Sequence, residues 1–178
     1  MSSIYIREAK PEDAEAIRDV QRYTWLATYP NEAYGITKED IEAHFYEDPK
    51  TAERRREGRR QAICTPPFHS WIALEGTVLI GFCIIKQDDQ ENLIQALYIL
   101  PDFQGKGAGK RLLQTALDWF GMEKEVVLNV ASYNEKAIAF YQALGFVPGG
   151  PLASSEALQL PSKVRFPEIK MVRKRLVN

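Results

Sequence analysis

The chain has 178 residues, 45% of them hydrophobic and 26% charged, with 23 Lys plus Arg against 24 Asp plus Glu. That length suits one domain, which buries about 70% of its unfolded surface without a metal or disulfide staple. The composition excludes disordered, collagen-like and low-complexity classes, and a net charge of −1 offers no general attraction to nucleic acid or an anionic membrane.

No apolar run approaches the ~18 residues of a membrane helix. Residues 1–7 lack the basic and then apolar order of a signal peptide. Cys64 and Cys83 stand outside any CxxC or histidine-paired spacing. The sequence therefore predicts packing thiols, no metal site, no membrane or nucleic-acid partner, and a cytoplasmic protein.

Residues 3–8 predict a short strand. Pro11 then opens a helix through Asp13, Ile17 and Val20 to about Ala27. Thr37-Lys38-Glu39-Asp40 has the form of a capping box and starts a second helix bearing Ile41 and Phe45. Residues 53–60 form the charge cluster, readable as a solvated helix end or loop, or as a rim that meets an anionic ligand.

Residues 71–74 and 77–86, joined by Glu75-Gly76, predict a hairpin. Residues 92–100 are apolar on both alternating faces, with Leu93, Leu97 and Ile99 on one and Ile94, Ala96 and Tyr98 on the other. A strand of that kind belongs mid-sheet under helices. A glycine-rich turn precedes a helix carrying Leu112, Leu113, Ala116, Leu117 and Phe120.

Residues 125–131 predict another buried strand. Ala137, Phe140, Tyr141 and Leu144 mark a further helix stopped by Gly145, and residues 169–176 can close as a final strand. No repeat or composition break divides the chain. The expectation is a single α/β domain over residues 1–178, with two helices in its first half.

The informative turn is Pro101-Asp102-Phe103-Gln104-Gly105-Lys106-Gly107-Ala108-Gly109-Lys110. Alternate glycines let backbone N–H groups approach a ligand, and the helix that follows adds unpaired donors and a positive dipole end. Phosphate or pyrophosphate suits such a turn, with Lys106 and Lys110 at its rim. A Walker A loop would need Gly at 104 and Ser or Thr at 111, where the sequence has Gln104 and Arg111. A dinucleotide fingerprint would need glycine at Lys110 and an acidic residue closing the next strand, and has neither.

Gln104-x-x-Gly107-x-Gly109 after a strand instead resembles the acyl-coenzyme-A-binding motif of the GNAT family of N-acetyltransferases. Downstream, Asn134-x-x-Ala137-x-x-Phe140-Tyr141 running to Gly145-Phe146 resembles that family's second signature. The resemblance is dense over residues 92–147 and looser before them.

It implies a mixed, mostly antiparallel sheet with helices on both faces, splayed between residues 93–100 and 125–131. It also implies acetyl-coenzyme A as co-substrate and an amine acceptor attacking the thioester directly in a ternary complex. Backbone groups of Leu97, Tyr98 and Ile99 would hold the pantetheine arm, with an amide near Ile99 facing the thioester oxygen. The amides of Gln104, Gly105, Lys106, Gly107, Ala108, Gly109 and Lys110 would take the pyrophosphate. Asn134 would bond the pantetheine arm, and Tyr141 would be the general acid.

Many relatives carry a glutamate base where this chain has Gln95 or Asn129, and neither can serve as one. No base is assigned. The gap also motivates a rival reading, a non-catalytic acyl-coenzyme-A sensor. Acceptor contacts are expected from the first two helices and the loop after Phe146, with Trp25, Tyr29, Tyr34 and Tyr133 as candidates for either packing or contact. The acids Glu39, Asp40, Glu42 and Glu47 suit a cationic acceptor or a solvated face. The acceptor itself, polyamine or protein amine, stays open. So does dimerisation through an edge strand near the C-terminus.

Overall fold

The computed structural model describes residues 3–174 apart from 88, 90, 91, 122 and 153–156. Strand β1 covers Ile4–Glu8. Pro11–Asp13 makes one 3-10 turn, closed by Asp13, whose carboxylate accepts from Lys10 N–H at 2.7 Å and pairs with Arg7 at 2.7 Å. Helix α1, Ala14–Thr28, buries Ala14, Ile17, Val20, Thr24 and Trp25, the one-face spacing of a packed helix. Helix α2, Lys38–Phe45, starts at the expected cap, where Thr37 Oγ1 accepts from Asp40 N–H at 3.1 Å.

A third helix in this half, α3 at Pro49–Ala62, was not expected from the pattern. It absorbs the charge cluster and buries no residue, so it has no apolar stripe to betray it. Asp48 Oδ1 caps it through Lys50 N–H at 2.9 Å, Pro49 opens it, and its arginines are largely paired. Arg59 bridges Glu15 at 2.8 Å and Glu47, and Arg56 pairs with Glu53 at 2.9 Å. The cluster thus ties α3 to α1 rather than standing as a free basic rim.

The remaining strands are β2 Phe68–Glu75, β3 Val78–Gln87, β4 Asn92–Ile99, β5 Val126–Ala131, β6 Val147–Pro151 and β7 Glu168–Arg173. Helix α4 is Ala108–Phe120 and helix α5 is Glu135–Gln142. The seven strands lie in the order β1-β2-β3-β4-β5-β7-β6, all antiparallel except the parallel pair β4 and β5. The segment after Phe146, expected as a loop, is the edge strand β6. Its Pro148 and Pro151 cannot donate to a neighbour, which an edge tolerates. The final strand ends at Arg173, short of the expected 176: Lys174 is no longer strand, and residues 175 and 176 lie outside the described residues.

One irregularity in β4 matters most. Ile84 pairs with Ala96 but Ile85 pairs with Ile94, so Gln95 is an extra residue bulged out of the ladder. A bulge reverses the alternation that follows it. Ile94, Leu97 and Ile99 therefore share one core, while Ala96 and Tyr98 face the other. The simple alternation expected from sequence, with Ile94 opposite Leu97, fails at this residue. At the same place the sheet opens: β4 and β5 pair only at Asn92–Val126, Leu93–Val127 and Ile94–Leu128. The expected splay is present.

Helices cover both faces. Leu112, Leu113, Ala116, Leu117 and Phe120 of α4, with Ala137, Ile138 and Phe140 of α5, pack on Cys83, Ile85, Leu128 and Met171. Ile17 and Val20 of α1 pack on Ile72 and Phe82 across the sheet. A third cluster joins Trp25, Ile41, Phe45, Leu160 and Phe166. Among the described residues no helix is long and apolar enough to cross a membrane.

Gly81 of β3 sits against the splayed part of β4. A Cβ there would meet Ile99 Cδ1 at 2.3 Å and the Tyr98 carbonyl oxygen at 2.7 Å. The Gly81→Ala variant is expected to lose about 1–3 kcal/mol in chemical denaturation, the cost of overpacking. A loss below about 0.5 kcal/mol would mean that β4 yields freely at this contact.

Candidate active site

The turn between β4 and α4 is built from backbone geometry. Pro101–Phe103 forms a 3-10 turn, and Gly105 and Gly107 then take φ of +75° and +88°. A side chain at either would stand in open space, so these glycines answer to the backbone rather than to crowding. Gly109 differs: an added Cβ would meet Ile99 Cγ1 at 3.5 Å and Phe140 at 3.6 Å, ordinary contacts.

The first intrahelical bond of α4 runs from Arg111 N–H to Gly107 O at 3.1 Å. The N–H groups of Ala108, Gly109 and Lys110 thus have no acceptor within the helix and form its positive end. Gln104 is spent internally: its N–H donates to Pro101 O at 3.2 Å and its side chain to Ile99 O at 3.0 Å. Any amides available to an anion therefore begin at Gly105. Lys106 lies 4.6 Å over the Phe103 ring, and Lys110 is exposed.

Beyond Ile94 the outer edge of β4 has lost its partner strand, so the alternate N–H and C=O groups of residues 95–99 face the gap. Across the gap, Asn134 caps α5 by accepting from Ala137 N–H at 3.2 Å, which leaves its amide NH2 to donate elsewhere. Tyr141 stands in the last turn of α5, 8% exposed, against Phe140 and Phe146.

Burial drives the Tyr141 phenol well above its ordinary value, with smaller contributions from Cys83 and Tyr98. It stays protonated. The same cause pushes the Cys83 thiol up to about 12. Cys64 is also raised by burial, and its thiol donates to Ala9 O at 3.3 Å. Neither sulfur is poised as a nucleophile.

The opposite side of the gap is lined by phenols. The hydroxyls of Tyr29 and Tyr98 lie 3.4 Å apart, and Tyr133 donates to Tyr29 O at 2.9 Å. Burial raises all three, Tyr133 to about 12. Trp25, 6% exposed and stacked on His44, is packing, whereas Tyr34 lies stacked on Tyr133 at 5.1 Å and is 44% exposed.

The acids in and just after the second helix do not gather here, and Glu39 is exposed. Asp40 accepts from Ser162 N–H at 3.0 Å, Glu42 pairs with Arg22 at 2.5 Å, and Glu47 pairs with Arg59. Gln95 and Asn129 are both exposed.

Glu168, at the start of β7, is the residue that sequence reading missed. It pairs with Ala131 and lies on the sheet face opposite Ile169 and Met171, hence opposite α4. Burial raises its carboxyl above the usual range, offset in part by Leu158 N–H at 3.4 Å. Its charge reaches Tyr29, Tyr98 and Tyr133. Only the β5–β7 register brings it to the gap, and that pairing leaves no local signal.

Residues 14–146 match the sequence profile of the Acetyltransferase (GNAT) family. The chain belongs to that family. It is 34% identical over 87 residues to N-alpha-acetyltransferase 30 of Schizosaccharomyces pombe, covering 45% of this chain and 58% of that one. It is 35% identical over 82 residues to the peptidyl-lysine N-acetyltransferase YjaB of Escherichia coli, covering 46% and 51%. The chain therefore spans about half the length of these relatives.

A crystal structure of the PaiA N-acetyltransferase from Thermoplasma acidophilum in complex with coenzyme A superposes with a TM-score of 0.69. The match covers 97% of this chain and 99% of that one at 24% identity, a likeness of fold. The GNAT architecture expected from the two motifs is thus present, and acetyl-coenzyme A is the co-substrate of this family.

The two kinds of glycine separate in stability. Gly107→Ala should cost about 1–2 kcal/mol, because an L-residue must hold the left-handed conformation. Gly109→Ala should be neutral or slightly stabilising at a helical position. Urea denaturation of the pair reads the difference, and equal effects would contradict the backbone assignment.

Proposed function

We propose that this GNAT chain, one domain over residues 1–178, transfers acetyl from acetyl-coenzyme A to a primary amine by direct attack in a ternary complex. The observation that carries the reading is the opening of β4 from β5 beside a free helix N-terminus, with the buried, neutral Tyr141 phenol on the helix that follows β5. The edge groups of Leu97 and Ile99 would take the amide groups of the pantetheine arm, whereas Tyr98, also expected there, stands opposite Phe82 in the hydrogen-bonded register and turns its backbone groups to β3. The amides from Gly105 to Lys110 would take the pyrophosphate, with Lys106 and Lys110 adding charge and the Asn134 NH2 donating to the arm.

Tyr141 would protonate the departing thiolate. A buried phenol is a weak acid, so it yields its proton only as the sulfur takes up negative charge. The un-ionised state of Cys64 and Cys83 supports direct attack over an acyl-enzyme. Free thiols at both positions suit a reducing cytoplasm. The relatives named above carry alpha-amine and peptidyl-lysine activities in their names, which favours a peptide or protein amine over a polyamine as acceptor.

A second reading, a coenzyme-A sensor without turnover, is motivated by the amides at Gln95 and Asn129. Coenzyme A release against peptides with free N-termini, lysine peptides and polyamines separates the two. Turnover with one class names the acceptor; binding of coenzyme A with no turnover favours the sensor. In an enzyme, Tyr141→Phe should lower kcat about 10²–10⁴-fold while calorimetry finds the coenzyme affinity unchanged. A kcat within twofold of wild type would remove Tyr141 from the chemistry.

A further inference from the structure

The acceptor reaches this site as an ammonium of pKa ~10.4, so attack on the thioester requires a group to take its proton. Gln95 and Asn129 cannot. Four acids of the first half are committed elsewhere: Glu15 of α1 and Glu47 after α2 to Arg59, Glu42 to Arg22, and Asp40 to Ser162.

Glu168 is not so committed. Its one hydrogen bond given by a described neighbour is the long contact from Leu158 N–H, at 3.4 Å. It faces away from α4, at the open end of the gap where β5 ends at Ala131. Tyr29 and Tyr98 interact electrostatically both with Glu168 and, from the far side of the sheet, with Tyr141. The phenol pair thus couples to Tyr141 on one side of the sheet and to Glu168 on the other.

The walls also suit a cation. Phe166 meets Tyr29 edge-on at 5.2 Å, and aromatic rings beside a carboxylate hold an alkylammonium by cation–π and charge together.

Building on the acetyltransferase reading above, we infer that Glu168 takes the proton of the acceptor ammonium, and that the Tyr29, Tyr98 and Tyr133 walls beside it hold that cation. The ammonium gives one proton to the Glu168 carboxylate. The nitrogen lone pair then forms the C–N bond as the C–S pair leaves on sulfur. The thiolate takes the Tyr141 proton, and the second proton lost by nitrogen returns to the phenolate. Glu168 then releases its proton to solvent.

The sign of the pH dependence follows from burial. A raised carboxyl binds a proton more readily than a free one, yet it must be ionised to act. The kcat of the wild type should fall as pH drops through that raised value. Among the described residues the titratable groups facing Glu168 are Tyr29 at the end of α1, Tyr98 from β4 and Tyr133 after β5, with Lys170 on its own face of β7. The phenols stay neutral across this range, since each is raised.

The test is kcat against pH for wild type, Glu168→Gln, Glu168→Asp and the exposed helix acid Glu39→Gln. Glu168→Gln should lose about 10²–10⁴-fold at pH 7 and recover to within about tenfold near pH 10, where the amine sheds its own proton. Coenzyme A affinity should be unchanged, Glu168→Asp intermediate and Glu39→Gln within twofold of wild type. Thermal unfolding of Glu168→Gln should match or exceed wild type at neutral pH, because a buried carboxylate is replaced by a neutral isostere.

A Glu168→Gln enzyme within twofold of wild type, or one equally impaired at every pH, overturns the assignment and leaves the acetyltransferase reading intact. A wild type that binds coenzyme A but turns over no amine overturns both.

Discussion

The architecture around the gap depends on one extra residue in β4. An inserted residue cannot be accommodated in a ladder without ending or bending it. Here Gln95 does both: pairing with β5 stops at Ile94, and the strand beyond it turns its other face to α4. From that single insertion follow an unpaired backbone edge, the placement of Leu97 and Ile99 in the core under α4, and the placement of Tyr98 in the core on the opposite face. The close approach of β4 to Gly81 holds the displaced strand in position.

The two sides of the gap then acquire different chemistry from the layers that cover them. On the α4 and α5 side, Cys83 and Tyr141 lie in a dry core that disfavours charge, so both remain protonated. On the α1 side, Tyr29, Tyr98 and Tyr133 form a polar-tipped aromatic wall with Glu168 at its edge. The free amides of α4 open at the end of the same gap. An anionic, amide-rich thioester and a cationic nucleophile would thus be met from opposite sides of one sheet. That division is the physical basis of the proposed transfer.

What was legible in the sequence was what local pattern encodes. The α4 and α5 stripes, the Thr37 cap, the hairpin, which turns one residue later than expected at Gly76-Thr77, and the glycine turn each carry their geometry within a few residues. Helix α3 escaped notice because ion pairs rather than an apolar face hold it. The bulge escaped because a polar residue within an apolar strand looks like an ordinary member of the alternation. Tyr141 is singled out by its motif, whereas Glu168 reaches the gap through pairing between β5 and a strand far along the chain. Local propensity is silent on such register.

The central claim is that the opened edge of β4 and the turn before α4 form one continuous binding surface for coenzyme A. Amide hydrogen exchange with and without coenzyme A tests it most directly. The account predicts slowed exchange at residues 97–99 and 105–110 together, and none across residues 49–62 of α3. Protection confined to the glycine turn, or appearing elsewhere while residues 97–99 exchange as before, would contradict it.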